Sequence, residues 1–188
     1  MRWERLFEDL EGQLAAEDAD ELSAEIGERT RLERSRLALA DRLLGWLGQP
    51  IVAHLVTGHQ VAGRLADAGS DWLLVDGPAL TLVPAAAVSS LGGLGAATTA
   101  PGLELARRRY RLTAVLRAIA RDRSPVRLLL DGGATLTGTI DAAGADHFDL
   151  AEHPADEPRR PRSVLGVRTV PLASLVTVQP APGTTSLA

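Results

Sequence analysis

The strongest chemical signal in the chain is a run of guanidinium groups. Arg107, Arg108, Arg109 and Arg111 flank Tyr110, and Arg117, Arg121, Arg123 and Arg127 follow, with only Glu104 and Asp122 of opposite charge in that stretch. A guanidinium offers paired donors to phosphate oxygens and a tyrosine offers a stacking face, so the set reads as a candidate contact with RNA. Arg159, Arg160 and Arg162 form a second candidate, diluted by Asp156 and Glu157. The opposing reading is structural: a solvated helix face and a charged loop, balanced by residues 1–34, where eleven Asp and Glu stand against five Arg. A third feature is apolar. Trp3, Leu6, Phe7 and Leu10 share one face at helical spacing, and could dock on a partner protein, on a second copy, or on the rest of the chain.

Other chemistries lack a constellation. His54, His59, His147 and His153 are the only histidines, and none has a ligand-spaced partner; the absence of cysteine removes thiolate metal sites, disulfides and a thiol nucleophile. There is no Ser/His/Asp set and no Walker loop. Gly92-Gly93-Leu94-Gly95 sits in a linker rather than between a strand and a helix, so it fails as a dinucleotide motif. The expectation is a non-catalytic protein without cofactor, metal or small-molecule substrate. Apolar runs too short to span a bilayer, and acidic Glu4, Glu8 and Asp9 where a signal peptide needs cations, point to a cytoplasmic protein with no membrane partner.

The elements that must carry these residues come in two sets. Sliding the 188-residue sequence by 75 positions lays Arg36, Leu37, Arg42, Pro50, Leu55, Gly58, Gly63, Gly69 and Asp71 on Arg111, Leu112, Arg117, Pro125, Leu130, Gly133, Gly138, Gly144 and Asp146. Beyond a loop twelve residues longer in the second set, Val83-Pro84 matches Val170-Pro171 at an offset of 87. The chain therefore reads as a tandem duplication. All twenty basic residues are arginine, as GC-rich coding produces, and the net charge of −4 hides an acidic start and a basic middle. Each unit is small enough for its core to be marginal alone, which favours packing of the copies on each other or on other chains.

Period-two alternation predicts strands over 51–55, 61–65, 72–75, 80–83 and 88–91, and again over 126–130, 135–141, 147–151, 167–170 and 175–179. Helical spacing predicts a helix from Leu22 towards Leu47, ended by Gly48 and Pro50, and one from Leu103 to Arg121. The organisation is a helical extension over 1–35, a first unit over 36–91, a linker over 92–102, a second unit over 103–179 and a tail without regular structure over 180–188.

The glycine spacing carries a family resemblance. An apolar strand, a turn glycine and a second glycine five residues on occur as Leu55, Gly58, Gly63 and as Leu130, Gly133, Gly138. With the helix before and the valine-proline before the last strand, each unit resembles the Sm-like fold, an SH3-like small barrel. The resemblance implies an α+β protein, mainly β: two tandem five-stranded barrels, each preceded by an α-helix. It also implies association through open edge strands, fourth against fifth. Asp71 and Asp146 fall at the family's base-contacting turn acid, or serve as Asx turns, while the third strands depart from its RNA signature, as does the lack of an Arg-Gly before Pro84 or Pro171. The expected function is binding or assembly, with RNA as ligand of the arginine-rich helix. The alternative is a protein-interaction scaffold that uses the N-terminal helix to dock a partner, or that self-associates through edge strands and helices.

Overall fold

The structure, a computed structural model, describes residues 38–95, 110–155, 157 and 159–182. The described helices and strands all belong to the compact unit that begins at Leu39. The expected extension over 1–35, with Trp3, Leu6, Phe7 and Leu10, lies outside the described residues, as do Arg107, Arg108, Arg109 and residues 183–188.

A short helix α1 (Leu39–Leu44) turns at Gly48, whose φ of +77 suits a residue without Cβ, into strands β1 (Pro50–Leu55), β2 (Gln60–Ala68), β3 (Trp72–Asp76), β4 (Leu80–Pro84) and β5 (Val88–Gly92). Helix α2 (Leu112–Asp122) then leads to β6 (Pro125–Leu130), β7 (Thr135–Ala143), β8 (His147–Glu152), β9 (Gly166–Pro171) and β10 (Leu175–Pro180). The strands fall within a residue or two of the alternation that predicts them. Within the described residues the helices differ from the expectation at their ends: α1 stops at Leu44, three residues before Leu47, and α2 runs from Leu112 to Asp122.

The ten strands make one antiparallel sheet in the order β5-β1-β2-β3-β4-β10-β6-β7-β8-β9. This corrects the expected pair of separate five-stranded barrels with several helices. The sheet continues through the middle of the molecule, and α1 and α2 are the only α-helices among the described residues. The cause is β10. It bonds β6 along one edge and meets β4 on the other, with Val178 opposite Leu82, so the two halves share a backbone ladder instead of closing one by one.

Local geometry repeats along this sheet. Ile51 pairs with Gly63 as Val126 pairs with Gly138, and irregularities lie between Leu65 and Asp67 and between Ile140 and Ala142. The valine-proline steps each run into a single 3-10 turn, Ala85–Ala87 and Leu172–Ser174. The glycines at the bend have a plain steric reason. A Cβ on Gly63 would strike the Asp76 carbonyl, and one on Gly138 the Ala151 carbonyl, because the backbone of the paired third strand closes in on the second strand at these positions.

Two apolar clusters form the core, and each borrows from the other half. Trp72 and Leu82 belong to the cluster of Leu112, Leu116, Leu128, Ile140, Phe148 and Leu150, while Val176 joins that of Leu43, Ile51, Leu65 and Val75, with Leu129 against it. Burying a large apolar side chain contributes about 1.5–3 kcal/mol, so these exchanged side chains weld the halves.

Gly138→Ala is expected to destabilise the fold by about 1–3 kcal/mol, because backbone rather than a pliable side chain blocks the new methyl. Gly132→Ala, with no atom within 4 Å of its Cβ position, is the control. Chemical denaturation of both variants checks this; equal midpoints would refute the steric role of Gly138.

Candidate binding groove

The end of β2 and the turn after it hold the start of α2. Asp71 Oδ1 accepts the Leu112 N–H at 2.7 Å, which satisfies one of the amides that a helix N-terminus leaves without an internal partner. Trp72 Nε1–H donates to the Tyr110 carbonyl at 3.0 Å, and the Ser70 amide reaches the same oxygen at 3.2 Å. A Cβ on Gly69 would collide with both the indole nitrogen and the Tyr110 carbonyl, so glycine permits the clamp. Asp71 is thus a cap for a helix from the other half.

The clamp leaves an open groove of about 700 Å³ between α2 and strands β2 to β4. Its floor is Trp72, Leu74 and Leu82; its α2 wall is Val115 and Ile119; Tyr110, 58% exposed, stands at one rim, and Asp67 and Arg121 supply charge. A shallower hollow of about 640 Å³ over β1 and β2 is lined largely by backbone and glycine around Arg64 and Asp76. A smaller hollow of about 250 Å³ also lies between the halves, where His59, Gln60 and Val61 meet Arg127, Leu129 and Gln179, but the groove by α2 is the larger of the two and the one that carries Trp72 and Tyr110.

Most described arginines are engaged by the chain itself. Arg117 donates to the carbonyls of Ala143 and Gly144, each at 3.1 Å, pinning α2 to the β7–β8 turn. Arg127 bonds Gln179 Oε1 at 2.7 Å, and Gln179 in turn donates to Thr81 Oγ1 across the joint. Arg123 and Arg159 take the two oxygens of Asp141 at 2.6 and 2.7 Å. Burial opposes ionisation of Asp141, but the hydrogen bonds and charges of Arg159 and Arg123 outweigh it and hold its carboxyl below the ordinary range. The hydrogen bond to Asp141 in turn raises the Arg159 guanidinium pKa. Arg123 also closes α2 in the left-handed region at φ 56, the place that Gly48 takes after α1. Arg111, Arg121, Arg160 and Arg162 remain exposed.

The predicted sites are therefore dispersed. Arg159, Arg160 and Arg162 sit in the long β8–β9 loop rather than beside Tyr110. The described part of that loop is anchored: buried His153 donates from Nδ1 to the Pro154 carbonyl at 2.8 Å, and its Nε2 meets Thr139 Oγ1 at 2.8 Å. His147 pairs with the exposed Asp146, whose carboxyl the His147 hydrogen bond lowers. His59 bonds Thr57 Oγ1. Among the described residues no three of His, Asp and Glu converge as a metal site would require. No helix among them is long and apolar enough to cross a membrane.

Tyr110 and Arg121 are the groove residues that the sequence marks as chemical. Trp72, Leu74, Leu82, Val115 and Ile119 read there as core. Their signal is the mismatch between repeats, since Trp72, Leu74 and Leu82 face His147, Asp149 and Thr169 at the same offsets. No protein-family model matches the chain, and the curated proteins contain no recognisable relative.

Two outcomes are expected. Asp71→Ala removes the cap on α2 and costs about 0.5–2 kcal/mol, whereas Asp146→Ala leaves the midpoint unchanged; equal losses would refute the cross-half role of Asp71. Asp141 has a folded pKa below its unfolded value, so its tie stabilises fully above the ordinary 3.8 and is lost as pH falls through the lower folded value. The melting-temperature gap between the native chain and Asp141→Asn should stay constant near neutrality and shrink in acid. A gap independent of pH down to acid unfolding would refute it.

Proposed function

We propose that this protein is a non-catalytic binding protein, two copies of one β unit fused into a single platform, and that its ligand is another protein received in the groove along α2. The observation that carries this reading is the division of labour among side chains. Arg117, Arg123, Arg127 and Arg159 are spent on internal acceptors, while the larger of the described clefts between the halves is lined by Trp72, Leu74, Leu82, Val115, Ile119 and the exposed Tyr110. Aromatic and aliphatic groups with a few charges at the rim suit an amphipathic segment, since such a segment fills a groove with apolar anchors and leaves its polar face wet. RNA is the second reading: it rests on Arg107, Arg108 and Arg109, which lie outside the described residues, and on the exposed Arg111, while Arg117 turns to the β7–β8 turn.

Two measurements on the full chain test this. Peptides selected from a random display library against the native protein should carry spaced apolar anchors, and should lose binding at least tenfold to a Tyr110→Ala/Ile119→Asp variant of unchanged circular dichroism. Peptides that bind both forms equally would overturn the groove. Fluorescence anisotropy with a mixed-sequence single-stranded RNA should give no binding that weakens with salt and vanishes when Arg107, Arg108, Arg109 and Arg111 become Ala. Salt-sensitive, arginine-dependent binding would restore the RNA reading.

A further inference from the structure

The joint between β4 and β10 displays what an edge of this sheet looks like when it is built to be paired. On the β4 side Trp72, Leu74 and Leu82 enter the second half's core; on the β10 side Leu129 and Val176 enter the first half's, with Val178 opposite Leu82. Among the described strands β9 and β5 stand at the two ends of the sheet, each with one edge unpaired by another strand. By the repeated registers β9 holds in the second half the place of β4, and β5 holds in the first half the place of β10. A second copy could add its β5 to β9 by the same geometry, Leu91 facing Thr169 as Val178 faces Leu82. Rings or filaments would result, because such a contact is head-to-tail.

The side chains at the open edges are of the opposite kind. At the offset of 75, Trp72 and Leu74 give way to His147 and Asp149, and Leu129 to His54; at the offset of 87, Leu82 gives way to Thr169 and Val176 to Ser89. These groups already have local partners. Thr169 Oγ1 donates to Asp149 at 2.6 Å, His147 bonds Asp146 at 2.8 Å, Ser89 Oγ donates to the His54 carbonyl at 2.9 Å, and Arg168 on β9 pairs with Glu152 at 2.6 Å. Pairing by the joint's geometry would take these polar groups from water and set Leu91 against a threonine, whereas the internal joint buries indole, leucine and valine against one another.

We infer that the sheet is terminated at both ends: the polar residues of β9 and β5, with His147, Asp149 and His54 beside them, keep the open edges from pairing with a second copy, so the platform stops at two units. This stands on the registers and the edge chemistry and is independent of what the groove binds.

Light scattering on size-fractionated full chain tests it. The native protein and Ser89→Arg/Thr169→Arg should have the same mass at every concentration. A larger native mass that falls in the double variant, with secondary structure unchanged, would overturn the inference; a larger mass shared by both would place association elsewhere and uphold it. The gain-of-function arm replaces both edges: Ser89→Val and His54→Leu with His147→Trp, Asp149→Leu and Thr169→Leu. That variant should show mass rising with concentration, while either edge's set alone should not. A folded five-residue variant that keeps the native mass would mean that polarity is not what holds the edges apart, and the inference fails.

Discussion

Val178 set against Leu82 is the contact on which the rest of the molecule depends. Around it Gln179 donates to Thr81, Trp72 and Leu82 enter the second core, and Val176 enters the first. Neither half encloses its own apolar side chains, so neither core is complete until β10, nearly the last segment of the chain, reaches β4. Small β units are marginal alone. Sharing side chains across a strand joint makes one larger interior from two insufficient ones, and it also holds the start of α2, which packs on β7 of its own half, beside strands of the first.

That placement generates the groove. Asp71 and Trp72 hold the backbone at Tyr110 and Leu112, which sets α2 at the distance from β2 to β4 that leaves Leu74, Val115 and Ile119 partly uncovered. Some of the arginines serve the same positioning. Arg117 ties α2 to a turn, and Asp141 gathers Arg123 and Arg159, so the helix end and the long loop converge on one carboxylate. Part of a charge run in sequence becomes, after folding, a set of short separate links.

Much of the secondary structure was legible because its cause is local. The alternation over 51–55 and 126–130, the turn glycines Gly58 and Gly133 with φ near +80, and the valine-proline steps into 3-10 turns all arise from steric rules that act within a few residues. The groove was less legible. Tyr110 stood out for its neighbours, but Val115 and Ile119 lie at ordinary helical core positions, and only the juxtaposition of α2 with the other half leaves them partly open.

By itself the sequence determined the strands, the bends and the correspondence between halves, since backbone sterics and apolar period are written residue by residue. Tertiary structure decided how many sheets there are. A strand edge carries the same unpaired N–H and C=O groups whichever strand approaches it, so backbone hydrogen bonding does not choose a partner. The choice between two closed barrels and one continuous sheet fell to side chains far apart in sequence. Trp72, Leu82 and Val176 are apolar where His147, Thr169 and Ser89 are polar, and the arrangement that buries the first set joins β4 to β10.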